Sequence, residues 1–205
     1  VTITSAELTK TYDGTALVNG TTALAENTGW VDGEGVDVTF TGSQTDVGTS
    51  KNSFTYEAKT GTKLDNYNIT KTEKDLIVTK NVSTITITAD SGEKTYDGIA
   101  IVPTQGTDGT GTDVGYTYTA GVLAEGDVLV AEVSGTQTDA GESTSTVTSY
   151  KVVRYSEGED GEQVETNVTE FYTIATANGT LKVNKRTVTI TSAELTKTYD
   201  GTALV

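Results

Sequence analysis

The side chains able to do chemistry in this sequence are loop carboxylates and a few amines, hydroxyls and amides on strands. Asp46 and Asp139 each stand two residues before a Gly in the pattern Gln-Thr-Asp-x-Gly, and Asp13 and Asp97 each precede a Gly. With the acidic stretch Glu157–Glu165 they could bind Ca²⁺, which takes roughly six to eight oxygen ligands. No segment carries the spaced Asp/Asn pattern of a dedicated calcium loop, so tight turns are the plainer reading. The second possible chemistry is a covalent cross-link. Lys10 could join Asn66 or Asn68, with Asp46 or Glu57 moving the proton, or Thr11 or Thr95 could join Gln44 or Gln137. Each such bond expels one ammonia and needs a buried acid whose neutral form is favoured by desolvation. The plainer reading makes Gln44 and Gln137 loop hydrogen-bonders and Lys10 a solvated strand residue.

The remaining composition excludes much else. His, Cys and Met are absent, which removes the usual general base, thiol nucleophiles, thiolate metal sites and disulfides. A net charge of −15 leaves no basic patch for nucleic-acid phosphate or an anionic membrane surface. No apolar run approaches the length of a membrane span, so no membrane contact is expected of this segment. Thr fills 44 of 205 positions, and with Val it favours pleated, half-buried surfaces. Ten Tyr and one Trp supply bulky core material for a chain otherwise close to disorder-prone composition. A carboxylate-pair glycosidase would need a cleft that thin repeated units do not suggest, so no enzyme is expected.

Those elements repeat. Lys-Thr-Tyr-Asp-Gly occurs at Lys10–Gly14, Lys94–Gly98 and Lys197–Gly201, placing Tyr12, Tyr96 and Tyr199 before Asp13-Gly14, Asp97-Gly98 and Asp200-Gly201. Gln-Thr-Asp-x-Gly occurs at Gln44–Gly48 and Gln137–Gly141. The stretch Tyr67–Lys80 aligns with Tyr172–Lys185 without a gap. Landmarks in the same order twice define two units, residues 1–83 and a longer 84–187, extended near Thr104–Gly115 and Ser156–Glu165. Val188–Val205 then repeats Val1–Val18 unchanged, as the opening strand or strands of a further first-type unit. The true period is therefore a pair of units, sampled slightly more than once.

Alternation of apolar residues with Thr predicts strands at Val1/Ile3, Val36–Phe40, Phe54/Tyr56, Tyr67/Ile69 and Leu76/Val78. The second unit offers Ile85/Ile87, Ile99/Ile101, Tyr116/Tyr118, Val128/Val130, Tyr172/Ile174 and Leu181/Val183, and Val188/Ile190 follows. Asp-Gly and Asn178-Gly179 supply turns. The pattern predicts an all-β protein of tandem immunoglobulin-like β-sandwich domains stacked head to tail. A β-grasp arrangement is the alternative, for which Thr21–Glu26 and Val122–Glu125 are poor helices. The joins at Lys80–Ser83 and Lys185–Thr187 hold no Pro, Gly or Ser-rich run, so little bending is expected between units. The landmark Tyr is read as a core anchor with its hydroxyl at the wet edge.

Lys-Thr-Tyr-Asp-Gly after Thr-Ile-Thr, then Thr-Gly-Ser-Gln-Thr-Asp-Val-Gly-Thr-Ser, then Asn-Tyr-Asn-Ile-Thr and Leu-Ile-Val-Thr-Lys, resembles the YDG/MBG-type repeats. Those repeats belong to large surface-anchored proteins of Gram-positive bacteria. The resemblance implies an extracellular, cell-surface module in a stalk, fibre or adhesin, whose partners are neighbouring units or copies of itself. Phe171-Tyr172-Thr173 replaces Asn66-Tyr67-Asn68, so those Asn cannot serve both units. The alternative is an adhesin that holds a glycan or host surface protein around Tyr116, Tyr118 and Tyr155. No cofactor is expected beyond structural calcium.

Overall fold

The computed structural model describes residues 1–103, 115–158 and 160–205, so the expected insertion at Thr104–Gly115 lies outside the described residues except for Gly115. The protein is all-β. Among the described residues helix is confined to two single 3₁₀ turns, Leu64–Asn66 and Thr169–Phe171. The first unit contributes β1 (Thr2–Thr4), β2 (Leu8–Thr11), β3 (Leu17–Val18), β4 (Glu26–Thr28) and β5 (Val36–Phe40). It continues with β6 (Ser43–Gln44), β7 (Gly48–Lys51), β8 (Phe54–Ala58), β9 (Thr70–Thr72) and β10 (Asp75–Thr79). The second contributes β11 (Asn81–Ala89), β12 (Gly92–Thr95), β13 (Tyr116–Tyr118) and β14 (Asp127–Ser134). Its last strands are β15 (Gly141–Glu157), β16 (Gln163–Asn167), β17 (Tyr172–Ala177) and β18 (Gly179–Asn184).

The two units share a pairing scheme. In the first, β1 runs parallel to β9 and β2 parallel to β10. In the second, β11 runs parallel to β17 and β12 parallel to β18. The last strand of each also pairs antiparallel with the strand after the Gln-Thr-Asp-x-Gly loop, β7 with β10 and β15 with β18. Matching backbone bonds close the pattern, Tyr12 N–H to Thr79 O and Tyr96 N–H to Asn184 O, both 2.8 Å. Only Lys80 separates β10 from β11.

Local differences from the sequence reading have physical causes. Tyr67 ends a 3₁₀ turn and the following strand starts at Thr70, because the Tyr67 hydroxyl is held by the Val31–Glu34 turn. Ile99/Ile101 forms only an isolated bridge, Ile101 to Gln137. Asn178-Gly179 makes no hairpin. β17 and β18 belong to different sheets, and a Cβ at Gly179 would sit 2.3 Å from the Asp90 carbonyl oxygen, so the crossing backbones require glycine there. Val188–Val205 forms no strand and is exposed, whereas β1, in the identical stretch Val1–Val18, pairs with β4 and β9.

One buried cluster belongs to the first unit, with Ile3, Val36 and Phe54 at its centre. The other contains Ile85, Ile87, Tyr116, Leu129, Val152, Val168 and Tyr172 from both sheets of the second unit, together with Tyr12 and Val78 from the first. The second core therefore extends across the boundary between units.

Candidate functional site: the joint between units

Tyr12 stands one residue beyond β2, and the Asp13-Gly14 turn after it swings the chain around. Asp13 accepts from the Thr15 backbone N–H at 2.9 Å and pairs with Lys10 at 2.5 Å. This contact with Lys10, reinforced by Thr15, lowers the Asp13 carboxyl to about 2. The same turn forms at Asp200, which pairs with Lys197 at 2.7 Å although no sheet surrounds it. The turn is thus encoded by its own few residues.

What differs among the three motifs is what covers the tyrosine. Tyr12 is 1% exposed, Tyr96 39% and Tyr199 93%. Tyr12 is covered by the second unit. Its ring meets Phe171 edge-on at 5.0 Å and Tyr172 at 5.6 Å. Its hydroxyl donates 2.8 Å to Asp127 Oδ2, and the Tyr172 hydroxyl donates to the same oxygen at 2.5 Å. The Tyr172 oxygen in turn accepts from the Ala124 N–H at 2.9 Å. Tyr12 is a core residue, but its hydroxyl, expected at a wet edge, ends on a buried carboxylate of the neighbouring unit.

Arg154 on β15 balances that carboxylate. Its Nε donates 2.8 Å to Asp127 Oδ1 and its Nη1 donates 3.0 Å to Asp46 Oδ1 of the first unit. The guanidinium also lies 5.7 Å from the Tyr12 ring centre. Burial pushes the Asp127 carboxyl above its ordinary range, with the charge of Asp46 adding and the Tyr172 hydrogen bond opposing. Burial and the Asp127 contact likewise push the Tyr172 phenol up. Leu17 and Val47 of the first unit pack on the same cluster, beside Leu123 and Ala124. Gly14 fits closely there: with φ +81°, a Cβ on it would sit 2.8 Å from Ala124 Cβ.

The first unit holds a socket with the same hydrogen bonds. Glu34 and Asp127 each lie eight residues before the Gly that opens Gly-x-Gln-Thr-Asp. The Tyr67 hydroxyl donates 2.6 Å to Glu34 Oε2 and accepts from the Val31 N–H at 3.2 Å, repeating the Tyr172, Asp127 and Ala124 contacts. Here the contact with Glu34 and burial raise the Tyr67 phenol. The turns match too, Glu34 N–H to Val31 O at 2.9 Å and Asp127 N–H to Ala124 O at 3.1 Å. Trp30 takes the place of Leu123 and stacks edge-on against Tyr67 at 4.9 Å. Val31, the counterpart of Ala124, is 62% exposed.

The other expected site residues are placed as follows. Gln44 and Gln137 donate to the backbone carbonyls of Asp46 and Asp139 within their own loops, at 2.7 and 2.6 Å. Lys10 is held by Asp13 and the Thr15 carbonyl, and its strand partner is Val78. Thr11 and Thr95 pair with Thr79 and Asn184. Asn66 and Asn68 are exposed at the 3₁₀ turn, where the Asn68 carbonyl accepts from the Val1 amine. Lys10, Gln44 and Gln137 thus engage partners within their own turns. Of the calcium candidates, Asp13 and Asp97 pair with Lys10 and Lys94 and Asp46 pairs with Arg154. Among the described residues no three acidic side chains gather as a metal site. Tyr116 is buried, its hydroxyl accepting from Ala131 N–H, while Tyr155 is exposed on the β15–β16 hairpin.

Glu34, Asp127, Arg154 and Trp30 were not singled out by the sequence reading. The signal for the first two was available: an acid after Gly, at equal spacing before the Gln-Thr-Asp loop in both units. No protein-family model, curated protein or solved structure matches the chain.

Proposed function

We propose that this chain is a segment of an extracellular bacterial surface fibre or stalk, built of immunoglobulin-like β-sandwich units stacked head to tail. The observation that carries the reading is Tyr12: a landmark side chain of one unit buried in the core of the next and bonded to its Asp127. Burying an aromatic side chain of this kind stabilises by roughly 2–3 kcal/mol. Sharing a core between units opposes bending, a requirement of a load-bearing or spacing element and not of a catalyst. A one-residue join at Lys80 supports the same reading, because it leaves no flexible linker. The charge of −15 keeps such a fibre soluble along its length. Small-angle scattering on the chain tests this. An elongated particle that becomes more flexible in Tyr12→Ala supports the stalk, and a compact particle refutes it.

A further inference from the structure

The far end of the second unit carries counterparts of the features that dock Tyr12 in the first. Tyr96 is the counterpart of Tyr12, and Asp139-Ala140 is the counterpart of Asp46-Val47. Together with Lys185, Arg186 and Val188 they line one concavity. At the other end of the chain, the Trp30–Val31–Glu34–Tyr67 socket repeats the hydrogen bonds of the Asp127 socket, with Val31 exposed and Trp30, Glu34 and Tyr67 half-buried. The residues after Thr187 repeat Val1–Val18, so the unit entering at this concavity begins as a first-type unit does.

We propose that Tyr96 of one copy docks into the Glu34–Tyr67 socket of the first-type unit of the following copy, making a second, alternating joint. This rests on the stalk reading and names its partner. The Tyr96 hydroxyl takes the position of the Tyr12 hydroxyl and donates to Glu34, while its ring packs on Tyr67 and Trp30. Gly98, whose φ of +81° matches Gly14 and which has open space around it here, lets the turn approach Val31 as Gly14 approaches Ala124. A heterologous joint of this kind extends without closing, as a fibre requires.

The two joints differ in where the positive charge sits. Strand pairing sets Arg154 opposite Asp127, whereas extending the Val36–Ala58 register sets Thr60 opposite Glu34. Lys185 and Arg186 stand beside Asp139 on the docking side instead. The cation is thereby supplied by the plug in the second joint and by the socket in the first.

Trp30 is the sole tryptophan of the period and reports on this socket. The test is a chain of two periods, residues 1–187 followed by 1–205, with Trp30→Phe in the first copy so that only the second copy's Trp30 emits. Compared with the single 205-residue chain, its emission should move to shorter wavelength and its quenching by acrylamide should fall severalfold. Tyr96→Ala in the first copy, an exposed position whose loss leaves the single chain folded, should reverse both changes. Unchanged emission and quenching in the two-period chain would overturn the second joint, as would burial of Trp30 that survives Tyr96→Ala. A two-period chain that scatters as an elongated particle while Trp30 stays open rejects this joint alone. A compact one rejects the stalk.

Discussion

The Tyr12 hydroxyl donates to Asp127 Oδ2 across 115 residues of sequence and across the boundary between two units, at 2.8 Å. That bond joins a repeated landmark to an acid outside any landmark. Tyr12→Phe should weaken the protein by about 1–2 kcal/mol, because Asp127 keeps Tyr172 and Arg154 as partners. Tyr12→Ala empties the cluster as well and should lose about 3–5 kcal/mol. Tyr96→Ala in the same chain should cost clearly less than Tyr12→Ala, its side chain being 39% exposed against 1%. Urea unfolding of the three variants checks the ranking.

Gly14 and Gly98 share a φ of +81° but not their surroundings. Alanine at either should cost about 1 kcal/mol for the left-handed backbone. Gly14→Ala should cost clearly more than Gly98→Ala, since only Gly14 faces Ala124. Thermal unfolding of the pair reads the difference, and equal losses would remove the close contact from the account.

Arg154 offsets the buried charge of Asp127. Arg154→Met should destabilise by roughly 3 kcal/mol at neutral pH, because it leaves that carboxylate without its cation. Asp46→Asn removes only the solvent-exposed half of the bridge and should stay within about 1 kcal/mol, less at high salt. Denaturation at two ionic strengths separates these cases.

The pH dependence follows from the direction of each shift. Asp127 is raised in the folded protein, so the folded state holds its proton more readily than the unfolded chain does. Stability should therefore rise as pH falls from neutral through the raised value, and stop rising near the ordinary 3.8. Asp13 is lowered to about 2, so its contribution is present above 3.8 and is lost as pH falls toward 2. Asp127→Asn should remove the first rise and leave the acid-side loss in place. Melting temperatures across the range test both signs.

Much of the fold is legible in the residues. Thr-Ile-Thr alternation marked β1 and β11, Val36–Phe40 marked β5, and the ordered landmarks matched the repeated pairing scheme. The three Asp-Gly turns were readable because Lys10, Asp13 and Thr15 interact within six residues. The joint was not readable. Its partners are separated by a whole unit, and a landmark Tyr carries no mark of whose core it enters. Tyr12, Tyr96 and Tyr199 share Lys-Thr-Tyr-Asp-Gly yet differ in how far they are covered. Val188/Ile190 illustrates the same limit, since period-2 alternation forms a strand only when a sheet is there to receive it.

Because they share the Tyr12 cluster, the two units should move as one body. Residual dipolar couplings of backbone amides from both units, measured in one aligned sample, test it most directly. A single alignment tensor should fit both units, and Tyr12→Ala should split it into two. Two different tensors in the unmodified protein would contradict it.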